Sequence, residues 1–91
     1  IKNNRIIIME SNNIEWRKEN NVLIKKFNFS NFKEALLFVN KVGEICEELN
    51  HHPNILLHDY KQVTISTTTH DAGNKLTELD YTITQKVDEL Y

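Results

Sequence analysis

The stretch Val22-Leu23-Ile24-Lys25-Lys26-Phe27-Asn28-Phe29, running into Ser30-Asn31-Phe32-Lys33-Glu34-Ala35-Leu36, carries the change of period that decides the fold. Up to Phe29 the side chains are β-branched and aromatic, which suits a half-buried strand. From Phe32 the apolar positions Phe32, Ala35, Leu36, Val39, Val42, Gly43, Cys46 and Leu49 recur at helical spacing, with Lys33, Asn40, Lys41, Glu44 and Glu48 between them. Asn31 is placed to cap this helix, with Glu34 three residues on. The pattern predicts a helix over 31–49, ended by Pro53, which pushes its predecessor out of the helical basin.

Working outward, Ile14, Trp16 and Lys18 alternate through 14–19, and Asn20-Asn21 supplies residues that tolerate positive φ. Two antiparallel strands joined by a tight turn follow, with Lys25-Lys26 read as a solvated strand face. Downstream, 54–60 and 62–70 read as a second strand pair. Val63, Ile65, Thr67 and Thr69 share one face of the latter strand. Asp71-Ala72-Gly73-Asn74 is a turn. Thr77 is a helix N-cap with Asp80 at the third position, Leu76 and Tyr81 are placed as a staple, and Leu79, Ile83, Val87 and Leu90 continue an apolar stripe. The order strand, strand, helix, strand, strand, helix predicts an α+β fold: a four-stranded antiparallel sheet with helices packed on one face. The expected organisation is one domain over 14–91, with residues 1–13 an N-terminal arm or extra strand.

Composition narrows the function classes. The chain has 91 residues, a formal net charge of −2 from 11 basic and 13 acidic side chains, two glycines, one proline and one cysteine. Near-balance of charge argues against nucleic acid as a partner held by phosphate contacts, and against a polybasic membrane anchor. The lone Cys46 has no partner in the sequence for a disulfide and lies on the apolar stripe, so it reads as a buried small hydrophobe. The run Ile6-Ile7-Ile8-Met9 is far short of a membrane span. A reducing, cytoplasmic location is expected, with no membrane partner.

All four histidines lie within residues 51–70, and His51, His52 and His70 fall at element boundaries, where sites supported by rigid elements tend to be built. Glu47 is four residues before His51 and shares a helix face with it if the helix extends that far. Adjacent side chains such as His51 and His52 point different ways, and no two histidines stand four apart, so no metal site is expected. His58 reads as a solvated position in mid-strand.

Glu47, His51-His52-Pro53, Tyr60, His70 and Asp80 occur in an order and with gaps that together form a specific set. This set resembles the pterin-4a-carbinolamine dehydratase family, over about residues 14–91. Two departures stand out. The turn between His70 and Asp80 looks one residue longer than the family's, and the family's first helix is not visible in Ile1–Asn13. The resemblance implies dehydration of 4a-hydroxytetrahydropterin to quinonoid dihydropterin, without cofactor or metal. It implies that His51, His52 and His70 line the pterin pocket. His51 and His70 are assigned to proton transfer, His52 to pterin binding and charge stabilisation, and Glu47 to orienting a histidine. Pro53, Tyr60 and Asp80 are given structural places, Asp80 as a cap and Tyr60 as a packing residue near the pocket. A homodimer or homotetramer is expected, since a one-sided sheet leaves an edge and a face to cover. The alternative function is a non-catalytic interaction or dimerisation module of the same fold.

Overall fold

Asn20 and Asn21 take φ of 48° and 66°, and these two left-handed residues turn β1 (Arg17–Glu19) straight back into β2 (Val22–Asn28). Positive φ at both central residues matches the right-handed twist of the flanking strands, which is why asparagine serves here. The structure, a computed structural model, describes residues 15–91; the arm or extra strand expected over 1–13 lies outside the described residues. Helix α1 (Phe32–Leu49) follows, then β3 (Asn54–His58), β4 (Gln62–Thr67), a 3₁₀ turn at His70–Ala72 and helix α2 (Glu78–Leu90). The four strands form one antiparallel sheet in the order β1-β2-β4-β3, so the two hairpins meet along β2 and β4. The predicted α+β architecture is the observed one.

Both helices pack on a single face of the sheet. Phe27 of β2 and Val63 and Ile65 of β4 meet Ala35, Phe38, Val42 and Cys46 of α1 and Ile83 and Val87 of α2 in the core, and Leu23 of β2 is buried as well. Each large side chain buried there contributes about 1.5–3 kcal/mol of transfer free energy. Phe27 stands at the centre, with ring centroids 4.9 Å from Phe38 and 5.0 Å from Tyr91. Asn31 caps α1 as expected, its side chain accepting from the Glu34 N–H at 2.9 Å.

Three sequence expectations change. Lys25 is not on the solvated face: it has the parity of Leu23 and Phe27, is buried, and pairs with Asp88 at 2.9 Å. Trp16, partly buried, donates its indole N–H to the same carboxylate at 3.1 Å. His58 is the last residue of β3, not a mid-strand position, and is half-buried, bonded to Asp59 and to the Thr64 hydroxyl at 2.8 Å each. Strand β4 ends at Thr67 rather than 70, because Thr69 turns aside to bridge Lys75 and His70 opens the 3₁₀ turn.

Candidate functional site

Helix α1 stops because Asn50 adopts the left-handed conformation, φ 55°. The Asn50 N–H donates to the Glu47 carbonyl at 3.2 Å and the His51 N–H to the Cys46 carbonyl at 3.0 Å. These two bonds satisfy the last carbonyls of the helix and fix the direction in which the chain leaves it. The turn throws His51 inward and His52 outward: His51 is 7% exposed, whereas His52 is exposed.

The His51 ring meets α2. Its Nε2 donates to Asp80 Oδ1 at 2.7 Å, and Asp80 is 0% exposed. The same carboxylate accepts from the Thr67 hydroxyl at 2.6 Å, the Thr69 hydroxyl at 2.6 Å and the Thr77 N–H at 3.0 Å. Because the Thr69 hydrogen is committed to Asp80, the Thr77 hydroxyl donates to Thr69 Oγ1, 2.7 Å away. Burial alone pushes the Asp80 carboxyl up; the hydrogen bonds from Thr67, Thr69, Thr77 and His51 outweigh it and hold the group below the ordinary aspartate value. Asp80 is therefore a carboxylate at neutral pH. The N-terminal cap read from the sequence is present through Asp80 Oδ2, and the other oxygen, Oδ1, holds the imidazole.

Glu47 does not serve His51. The helix ends before it could bring the two onto one face, and Glu47 Oε2 accepts instead from His52 Nε2 at 2.9 Å on the surface. His70 stands on the 3₁₀ turn, exposed, with Nδ1 donating to Asn74 Oδ1 at 2.8 Å. Gly73, φ 77°, and Asn74, φ 60°, supply the two left-handed residues that close this turn. The structure thus brings His51, His52 and His70 around one small cleft of about 170 Å³, shared with Asn50, Thr69 and Asp71. Each ring has one nitrogen held by a protein oxygen. The other nitrogen has no hydrogen bond to a described residue. A neutral imidazole so held accepts a proton at its open nitrogen, and a protonated one donates from it.

Two residues of the sequence set stand elsewhere. Tyr60 is neither packed nor near the cleft; it is 62% exposed in the β3–β4 turn, with φ 49°. Pro53 lies at the start of β3 on the wall of a neighbouring groove. The sequence reading missed Thr67 and Thr69 as partners of the site, although their parity with Val63 and Ile65 placed two hydroxyls on the inner face. Cys46, buried, has its thiol pushed up to about 11 by burial and by the charge of Glu47, so it is protonated at neutral pH. Among the described residues no three His, Cys, Asp or Glu side chains gather as a metal site, and no helix is long and apolar enough to cross a membrane.

A relative from Sulfurisphaera tokodaii, provisionally named as a pterin-4-alpha-carbinolamine dehydratase, is 45% identical over 75 residues, covering 82% of this chain and 78% of its own. One from Picosynechococcus with the same provisional name is 45% identical over 76 residues, covering 84% and 80%. The crystal structure of a transcriptional coactivator/pterin dehydratase from Brucella melitensis superposes with a TM-score of 0.76 at 28% identity, over 86% of this chain and 83% of that one. A pterin dehydratase-like protein identified as a RuBisCO assembly factor in the alpha-carboxysome shares the fold, with a TM-score of 0.70 at 24% identity over 84% and 88%. The family described as Pterin 4 alpha carbinolamine dehydratase matches residues 4–90, and the chain belongs to that family.

Proposed function

We propose that this protein removes water from 4a-hydroxytetrahydropterin to give quinonoid dihydropterin, by proton transfer through its histidines. The observation that carries the reading is the cleft itself: three imidazoles around one space, each steadied at one nitrogen and, among the described residues, unbonded at the other. The reaction needs a proton delivered to the hydroxyl on C4a and a proton removed from a ring nitrogen. Water then leaves, and both transfers suit groups that titrate near neutrality. His51 and His70 are the proposed acid and base. His52 binds the pterin and offsets developing charge, with Glu47 holding its ring. Asp80 is a positioning residue that acts through His51. No metal or redox group enters this scheme, and a reducing cytoplasm is its natural setting.

The test is a stopped-flow assay of carbinolamine loss with the purified chain. Acceleration over the buffer-catalysed rate is expected; a rate equal to that of buffer overturns the proposal. A second reading, a non-catalytic interaction module, draws support from the fold shared with a RuBisCO assembly factor, and an inactive but folded protein would favour it.

Self-association goes with the proposal. Among the described residues, β1 forms one edge of the sheet with three charged residues, which discourages pairing, whereas the opposite edge, β3, reads Asn-Ile-Leu-Leu-His and has no charged side chain. Leu56 on that edge is 58% exposed, and Leu36 and Leu37 of α1 are exposed as well. A homodimer or homotetramer is the expected state, and a monomer mass by light scattering at micromolar concentration counts against it.

A further inference from the structure

His70 reaches the cleft from a turn that is closed on itself. The Thr69 N–H donates to the Lys75 carbonyl at 3.0 Å and the Lys75 N–H to the Thr69 carbonyl at 3.3 Å, so these two residues are pinned as a pair. Inside that bridge the Gly73 N–H donates to the His70 carbonyl at 3.0 Å. Asn74, with φ 60°, sits next to the bridge, and its side chain comes back to the His70 ring. Asn74 Oδ1 is a carbonyl oxygen and only accepts, so the 2.8 Å contact places a hydrogen on His70 Nδ1. A neutral imidazole carries one ring hydrogen, and with it on Nδ1 the lone pair is on Nε2. His70 lines the cleft and Asn74 does not, so Asn74 can act there only through the ring it holds.

We propose that Asn74 is a positioning residue for the dehydration: its carboxamide holds His70 in the Nδ1–H form and leaves Nε2 as the nitrogen that takes or gives the proton in the cleft. The inference rests on the dehydratase reading above and says how one of its acid–base groups is set. In a free side chain the Nε2–H form is the more populated, and that form puts the hydrogen where the lone pair is needed. Whether the ring takes a proton at Nε2 or gives one from it, the neutral form on the path is Nδ1–H. A change in the share of that form therefore passes into the rate. One net hydrogen bond shifts such a ratio by about two- to tenfold. The partner is an amide and not a carboxylate, so it orients the ring without adding a charge of its own.

Asn74→Gly tests this cleanly, because glycine is at ease at φ 60° and only the carboxamide is lost. The tautomer is read from long-range nitrogen–proton correlation spectra at alkaline pH, where the ring is neutral, with the His70 signals assigned by their loss in His70→Ala. The parent chain is expected to show Nδ1–H. Asn74→Gly moves the ring toward Nε2–H, and Asn74→Asp, which keeps an acceptor oxygen, restores Nδ1–H. In the stopped-flow assay Asn74→Gly lowers kcat by about two- to tenfold and leaves KM in place. In a His70→Ala background the same change lowers nothing further, since the ring it works through is gone. A parent spectrum of the Nε2–H form, or one that Asn74→Gly leaves unmoved, overturns the inference. An equal fall in rate with and without the His70 ring overturns it too. A parent chain that does not accelerate dehydration overturns the dehydratase reading instead, a result distinct from the spectrum, which needs no substrate.

Discussion

His70→Ala lowers the rate of carbinolamine dehydration by about 10²–10⁴-fold, the range lost when a positioned acid–base group is removed, while the urea midpoint stays where it was. The second half of this expectation follows from exposure. His70 stands on the surface of the 3₁₀ turn, and its side chain has one hydrogen bond to a described residue, to Asn74. Surface changes of this kind usually shift stability by less than about 0.5 kcal/mol. A lost rate with an unchanged midpoint therefore reads as lost chemistry. His51→Ala is expected to lose rate over the same range but is the less clean variant, since it also strips Asp80 of a buried partner. Full activity in both single variants removes these two residues from the proton transfers.

The largest stability effect is expected at Asp80. Its carboxylate is wholly buried and accepts from Thr67, Thr69, His51 and the Thr77 N–H. Asp80→Ala leaves those donors without their shared acceptor and removes one half of the capping box of α2. The cost is about 3–5 kcal/mol, the range for breaking a buried charged pair by deleting one partner, read as a lower urea midpoint at pH 7. The same group gives the protein an acid limb. Its folded value lies below the unfolded one, near 3.9, because the hydrogen bonds outweigh burial. Its contribution is thus complete above the unfolded value and is lost as pH falls through the folded one. Urea titrations at pH 7 and pH 3 are expected to differ more in the parent chain than in Asp80→Asn, which cannot ionise. An equal difference in both places the acid sensitivity elsewhere.

Most of the fold could be read from local pattern, because local pattern is what forms it. Asn20-Asn21 announces its hairpin through the backbone freedom of asparagine, and the Phe32–Leu49 stripe announces its helix through spacing. The site was legible as a set of residues but not as a set of contacts. Glu47 and His51 stand four apart, and that spacing pairs them only on a continuing helix; one left-handed residue, Asn50, gave Glu47 to His52 instead. The Asp80–His51 bond joins positions 29 apart and depends on how α2 lies across β4, which no short window of sequence contains. Lys25 shows the reverse case. Its parity with Leu23 and Phe27 pointed inward all along, but its charge suggested solvent, and only the Asp88 carboxylate explains how it is buried.

The Asp80 knot also makes the site depend on a helix that carries none of its histidines. It ties the turn after α1, strand β4 and helix α2 at a single carboxylate, and α2 is synthesised after every strand it touches. A chain in which the two hairpins pair but α2 is undocked lacks the oxygen that holds His51. Orientation of that ring therefore depends on the docking of α2, an element that contributes no histidine of its own.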